Sequence, residues 1–130
     1  MPTVPIIEGR AFTVEAWGSE ESCQTQVFLA RLQKKHPACF KRLLAIIGRC
    51  AENGPSMRPD VTRALQGYDG LFEWKTRGGA RLFWFYGKER ALIVCASGFM
   101  KKSQKTPKRE LERAAGIRSA YMEEGDDEDK

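Results

Sequence analysis

Five cations lie within nine residues, from Lys101 to Arg109, shortly after an aromatic residue, Phe99. The apolar run 91–97 before them is typical of a buried strand, and a helical pattern begins after them. Clustered positive charge at the end of a strand, beside an aromatic ring, suits a ligand that is rich in phosphate. A solvated basic loop has the same composition, so this segment alone leaves both interpretations open.

The net charge of +5 conceals two regions of opposite sign. Residues 123–130 carry a charge of −5, whereas the 122 residues before them carry +10. A strongly basic folded body indicates nucleic acid as a partner. A length of 130 residues is sufficient for one core. We therefore expect a loose lead-in over residues 1–10, a single domain over 11–122 and an acidic, disordered tail over 123–130.

The cysteine pattern indicates a reducing compartment. None of the four has C-x-x-C spacing, and all lie in apolar stretches: Cys23, Cys39, Cys50 and Cys95. We interpret them as buried thiols and expect neither a metal nor a cofactor. The chain shows no signal-peptide pattern and no apolar run of membrane-spanning length, so we expect a soluble, cytoplasmic protein without a membrane partner.

Hydrophobic periodicity and turn residues predict seven elements in the order β-α-α-β-β-β-α. They are a strand over 11–17, a helix from the N-cap Ser19 to about Lys35, a second helix from Pro37 to the stop at Asn53-Gly54-Pro55, strands over 71–77, 81–86 and 91–98, and a helix from Thr106 to about Met122. This order predicts an α+β domain. Its mostly antiparallel, four-stranded sheet has helices on one face and is partly open on the other.

The turn at Gly78-Gly79 allows two registers of the first hairpin. A two-residue loop pairs Arg77 with Ala80, and a three-residue loop pairs Arg77 with Arg81. Because a slip of one residue exchanges the faces, burial should select the register that keeps the charges together. We predict the three-residue loop. It collects on the open face Glu73, Lys75, Arg77, Arg81, Phe83 and Phe85.

Three segments resemble the phage-derived RelE/HigB-like toxins of the RelE/ParE superfamily. They are LFEWK (71–75), RLFWF (81–85) and GFMKKSQKTP (98–107), the last followed by Glu110. The resemblance covers about residues 10–122 and implies the RelE/ParE-like fold with two N-terminal helices. It further implies the toxin of a type II toxin–antitoxin pair, which cuts mRNA in the ribosomal A site without a metal and is silenced by a helix-turn-helix antitoxin.

The implied reaction is attack of a ribose 2′-OH on the adjacent phosphate, which leaves a 2′,3′-cyclic phosphate and a 5′-OH. It needs a proton acceptor, a proton donor and cations around the phosphate. Arg81 is the first candidate to stabilise the phosphate, because a guanidinium fork matches phosphate oxygens. The candidate catalytic residues are Arg81, Lys101, Lys102 and Lys75, with the identity of the proton-carrying lysine left open. The candidate RNA-binding residues are Arg77, Phe83, Phe99, Lys105 and Lys108.

Other polar residues are assigned structural roles. The single histidine, His36, is predicted at the turn between two helices, far from the open face. Glu73 is predicted to be an ion-pair partner for Lys75 or Arg81, and Tyr121 to pack on the last helix. Two other functions stay compatible with the sequence. One is a toxin of the same fold that acts on another target such as DNA gyrase, and the other is a non-catalytic basic module that binds nucleic acid.

Overall fold

Six strands and three helices form the part of the chain that the computed structural model describes, residues 3–128, with side chains as far as Glu124. They are β1 (Thr3–Glu8), β2 (Thr13–Trp17), α1 (Gln24–Lys35), α2 (Pro37–Asn53), β3 (Thr62–Ala64), β4 (Phe72–Lys75), β5 (Ala80–Tyr86), β6 (Leu92–Met100) and α3 (Lys108–Glu128). α3 continues to Glu128, past its predicted end at about Met122 and into the segment predicted to be a tail, and residues 129–130 lie outside the described residues.

The predicted four-stranded, mostly antiparallel sheet is wrong. The strands form one mixed, six-stranded sheet in the order β1-β2-β6-β5-β4-β3, and β2 runs parallel to β6. The two strands that the prediction lacks are the edges. β1 contains Pro5, which an edge strand tolerates because one side of that strand needs no donors. β3 has three residues, too few for an alternating pattern to be recognised.

Helices cover both faces of this sheet, which corrects the expectation that one face stays open. Trp84 belongs to a buried cluster with Ile47 of α2. Phe85, the next residue of β5, belongs to a second buried cluster with Ile117 of α3. Because successive side chains of a strand point to opposite faces, the aromatic residues of β5 divide between the two cores.

Local chemistry sets the helix boundaries. α1 begins at Gln24 rather than after Ser19, because the Ser19 hydroxyl accepts a hydrogen bond from the Ser22 amide at 3.1 Å and closes a turn there. Pro37 opens α2, and Gly54, with φ of 88°, follows its last residue. No helix within residues 3–128 has both the length and the apolar character needed to cross a membrane.

Gly98 allows α1 to lie directly against β6. A Cβ atom added at Gly98 would overlap the ring of Phe28 on α1. Residue 98 therefore has to lack a side chain for the helix to approach this closely. The position of α1 depends on that contact.

All four cysteines are buried as free thiols. Burial raises the pKa of the Cys50 thiol to about 11. Burial, followed by the neighbouring Cys50 and Cys23, also raises the pKa of Cys95. Both thiols therefore stay protonated at neutral pH and are poor nucleophiles.

We expect Gly98→Ala to lower the free energy of unfolding by about 1–3 kcal/mol, because the added methyl group must displace Phe28. The measurement is urea denaturation followed by circular dichroism. Gly48→Ala in α2 is the matched control, since a Cβ there meets no atom within 4 Å. The control should be more stable than wild type by about 0.5–1 kcal/mol. Wild-type stability of Gly98→Ala would contradict the close contact with α1.

We expect stability to fall as pH rises from about 9 to about 11, through the ordinary and the raised pKa of Cys50. The unfolded chain loses this thiol proton at a lower pH than the folded chain does, so the contribution is complete below pH 9 and then declines. Thermal unfolding between pH 8 and pH 11 measures the decline, which should be shallower in Cys50→Ala. Equal pH dependence in the two proteins would show that Cys50 does not contribute to it.

Candidate nucleic-acid interface

An extra residue in β6 determines which face Phe99 joins. Phe83 pairs with Ser97, whereas the next residue of β5, Trp84, pairs with Cys95. The residue between them, Ala96, is therefore a bulge, which shifts the alternation of side chains by one. As a result Phe99 lies on the α3 face and stacks on Phe83, with ring centroids 5.5 Å apart.

Two cations and Phe99 form a row across three strands. Lys75 of β4 pairs with Arg81 of β5, and Arg81 pairs with Phe99 of β6. Directly opposed residues of neighbouring strands have Cβ atoms about 4.5–5.5 Å apart. The row thus places the aliphatic parts of the Lys75 and Arg81 side chains beside the ring of Phe99 at one end of the sheet.

The predicted register, with Arg77 opposite Arg81, is wrong by two residues. Arg81 pairs with Lys75, and Arg77 lies exposed in the turn instead. The Thr76 side chain fixes this register, because its hydroxyl accepts a hydrogen bond from the Ala80 amide at 3.0 Å. A shift by two residues preserves the faces, so the charged side chains share one face as predicted.

Arg81 is held in place rather than solvated, which corrects its expected position on an open face. Its side chain is 12% exposed, and its Nε lies 3.8 Å from Oε1 of Glu73, which is 1% exposed. Nη1 donates to the carbonyl of Thr76 at 2.7 Å and to that of Ala80 at 3.2 Å. Nη2 forms no hydrogen bond or ion pair with any of the described residues. This arrangement immobilises the fork and leaves one of its nitrogens available for an anion.

The turn of the hairpin brings two more predicted residues to the same place. The amide of Lys101 donates to the carbonyl of Gly79 at 2.7 Å, which joins the end of β6 to the turn that carries Arg77. We call the group Lys75, Arg77, Arg81, Phe99 and Lys101 the basic corner.

Three other predicted residues lie elsewhere. Phe83 is fully buried beneath Phe99, so it supports that ring and cannot itself stack on a base. Lys105 is exposed in the segment before α3, and Lys108 is exposed on its first turn, 3.7 Å from Glu112. These two lysines lie farther along the chain from the basic corner.

A cleft of about 970 Å³ separates α1 from the beginning of α3. The end of β6 forms its floor, which includes Gly98, Phe99 and Met100. Lys102 also lines it, so of the four candidate catalytic residues this one faces the cleft. We call this cavity the α1–α3 cleft, and Phe99 belongs both to it and to the basic corner.

Several cleft residues were not predicted to be functional. His36 lies at the turn between α1 and α2, as predicted, and there it lines the cleft. The others are basic: Arg31, Lys35, Arg109 and Arg113. Each pair is spaced by four residues on its helix, which places both members on one helix face. That spacing is visible in the sequence, but the meeting of the two helices is not.

The chain belongs to a phage-derived protein family. Residues 28–118 match the family described as Phage derived protein Gp49-like (DUF891), which is more than half of the chain. This family is related to the toxins of toxin–antitoxin pairs. A search of curated proteins gave no match.

We expect Arg81→Ala to destabilise the fold by about 3–5 kcal/mol, because it leaves the Glu73 carboxylate buried without its cation. This effect follows from the burial of Arg81, which the sequence instead predicts on an open face. The double variant Glu73→Gln/Arg81→Gln should lose less stability than Arg81→Ala, because neither charge remains. Urea denaturation of both variants and wild type measures this difference.

The matched control is Arg58→Ala, which removes an exposed arginine 3.1 Å from Asp60. Exposed ion pairs contribute about 0–1 kcal/mol, so the control should be near wild type. If Arg81→Ala were no less stable than Arg58→Ala, the buried pair would not stabilise this sheet.

Proposed function

We propose that this protein is the toxin of a type II toxin–antitoxin pair and acts as an endoribonuclease on mRNA in the ribosome. Membership of a toxin-related family supports this proposal, as does the basic string that follows Phe99. The observation that carries it is the row in which Arg81 lies between Lys75 and Phe99, with the backbone of Lys101 joined to the same hairpin turn. The Lys75 ammonium itself donates to the carbonyl of Pro59 at 3.2 Å, so an RNA phosphate would compete with that contact. An mRNA substrate on the ribosome would place the activity in the cytoplasm.

The proposed cleavage is transfer within the RNA strand. The ribose 2′-oxygen forms a bond to phosphorus as it loses its proton, and the bond to the 5′-oxygen breaks as that oxygen gains one. The products are a 2′,3′-cyclic phosphate and a 5′-hydroxyl, and no metal is needed. Negative charge increases on the phosphate during the reaction, so fixed cations around it lower the barrier.

The basic corner and the neighbouring Lys102 supply groups for each part of the proposed reaction. Nη2 of Arg81 is held in a fixed position by the contacts of Nη1 and Nε, so it can bind a phosphate oxygen with little loss of entropy. Lys101 and Lys102 are the proposed proton carriers at the end of β6. Phe99 is half-buried and offers the ring on which a base can stack.

The proposed partners follow from this activity. The ribosome would present the mRNA, and a helix-turn-helix antitoxin would silence the toxin. A second candidate function is a non-catalytic module that binds nucleic acid. The buried contact of Arg81 with Glu73 favours it, because an arginine in an ion pair can serve the fold alone.

We expect Arg81→Lys to lower mRNA cleavage by about 100-fold or more, because an ammonium keeps the charge near Glu73 but loses the fork. The measurement is controlled expression, with growth followed and a reporter mRNA mapped by primer extension. Lys101→Ala and Lys102→Ala should also lower cleavage. Lys34→Ala is the matched control, since Lys34 is exposed on α1 and lines neither the basic corner nor the cleft.

Each outcome separates the candidates. New mRNA ends with wild type and with Lys34→Ala, but not with Arg81→Lys, would support cleavage at the basic corner. Growth arrest without new ends would refute the ribonuclease and indicate another target. Absence of arrest would favour the non-catalytic module. Full cleavage by a folded Arg81→Lys variant would remove the guanidinium from the mechanism.

A further inference from the structure

We propose that the α1–α3 cleft binds the unpaired RNA that flanks the reacting phosphate. The proposal rests on the proposed function for the identity of the RNA, and it adds a binding site to the basic corner. Three features of the cleft carry it: its charge, its exposed apolar surface and its continuity with the basic corner.

The charge of the cleft favours a chain of phosphates. Arg31 and Lys35 lie on the α1 wall, Arg109 and Arg113 lie on the α3 wall, and Lys102 lies near the floor. Two rows of cations that face each other suit a polyanion that passes between them. A single phosphate would need only one such row.

The acidic groups of the cleft do not cancel this charge. Its acidic residues are Glu21 and Glu110. Glu110 is 8% exposed and lies 3.9 Å from Nε of Arg109 and 3.5 Å from Nη1 of Arg113. The carboxylate therefore holds the two guanidinium groups on the α3 wall, and the arginine side chains remain 82% and 48% exposed, with further donors free for a ligand.

The α1 wall carries two cations that have no acidic partner among the residues that the structure describes. Arg31 and Lys35 are exposed and form no ion pair with any of the residues that the structure describes. Lys35 lies in the last turn of α1, where a cation also stabilises the helix dipole. Arg31 lies one turn earlier on the same face. Because the effect of the helix dipole is confined to the last turn, it explains the position of Arg31 less well than that of Lys35.

The apolar surface of the cleft favours unpaired bases over duplex nucleic acid. Val27 is 56% exposed, and the rings of Phe28 and Phe99 are half-buried beside it. Aromatic side chains bind the flat faces of bases, which a duplex hides within its stack. Basic walls around an apolar floor therefore suit a single strand, which presents both phosphates and exposed bases.

Phe99 connects the cleft to the proposed reaction. It pairs with Arg81 across the sheet, and it also lines the cleft beside Gly98. A strand whose reacting phosphate lies at Arg81 therefore enters the cleft with the next nucleotides. This makes the cleft a subsite for the substrate rather than a separate site.

The test is fluorescence anisotropy of a labelled, 2′-O-methylated oligouridylate with the full-length protein, over a series of KCl concentrations. Methylation removes the nucleophile, so binding is measured without cleavage. For Arg31→Gln/Lys35→Gln we expect weaker binding, with a slope of log affinity against log salt that is smaller by about 1.4 for two lost phosphate contacts. Lys34→Gln/Arg49→Gln is the control, because it loses the same charge at exposed residues outside the cleft.

The control variant should keep the wild-type slope. An equal fall in both variants would overturn the proposal, since binding would then depend on total charge. Wild-type binding by Arg31→Gln/Lys35→Gln, or no RNA binding by the wild type, would also overturn it. So would preferential displacement of the RNA by an oligoglutamate peptide of equal charge, which would indicate an acidic protein as the ligand.

These outcomes are separate from the fate of the proposed ribonuclease. A protein that binds the methylated RNA through Arg31 and Lys35 but cleaves no mRNA would leave the cleft as a nucleic-acid site and refute the catalytic role. A protein that cleaves mRNA without using these residues would refute the cleft alone.

Discussion

The enclosure of β6 is the constraint on which the rest of the structure depends. β2 and β5 occupy its two edges, α1 and α2 lie over one face, and α3 lies over the other. Residues 92–97 are all buried, so β6 reaches solvent only at its ends. The bulge at Ala96 then directs Phe99 toward Arg81 and leaves Gly98 facing α1. The basic corner and the α1–α3 cleft both follow from the path of this one strand.

The buried pair of Arg81 and Glu73 implies that the proposed phosphate site needs several cations. Burial of the guanidinium requires a compensating carboxylate, but that carboxylate also offsets much of the positive charge that a phosphate would meet. The pair is loose at 3.8 Å, and no hydrogen bond within the described residues reaches either oxygen of Glu73. In the proposed site Arg81 would therefore supply geometry, while the half-buried Lys75 and Lys101 would add attraction over distance.

Local patterns in the sequence predicted the elements better than their arrangement. Pro37 separates the two helices, and alternation assigns the faces of β4 and β5 correctly even though the register differs by two residues. The pairing of β2 with β6 joins distant segments, and neither segment signals its partner. The bulge at Ala96 also leaves no signal in the sequence, because an apolar run has the same appearance with or without an extra residue. His36 lies between the two helices as predicted, but its place in the cleft depends on how closely α1 approaches β6 at Gly98.

The family match covers the functional surface more completely than it covers the sheet. Its span, residues 28–118, begins on α1 at Phe28 and ends within α3 at Arg118. It includes every residue of the basic corner and the cations of both cleft walls, whereas β1, β2 and the cleft residues up to Val27 lie before it. Yet β2 covers the edge of β6 that the matched segment leaves unpaired. The proposed chemistry and the closure of the sheet therefore reside in different parts of the chain, and the burial of β6 connects them.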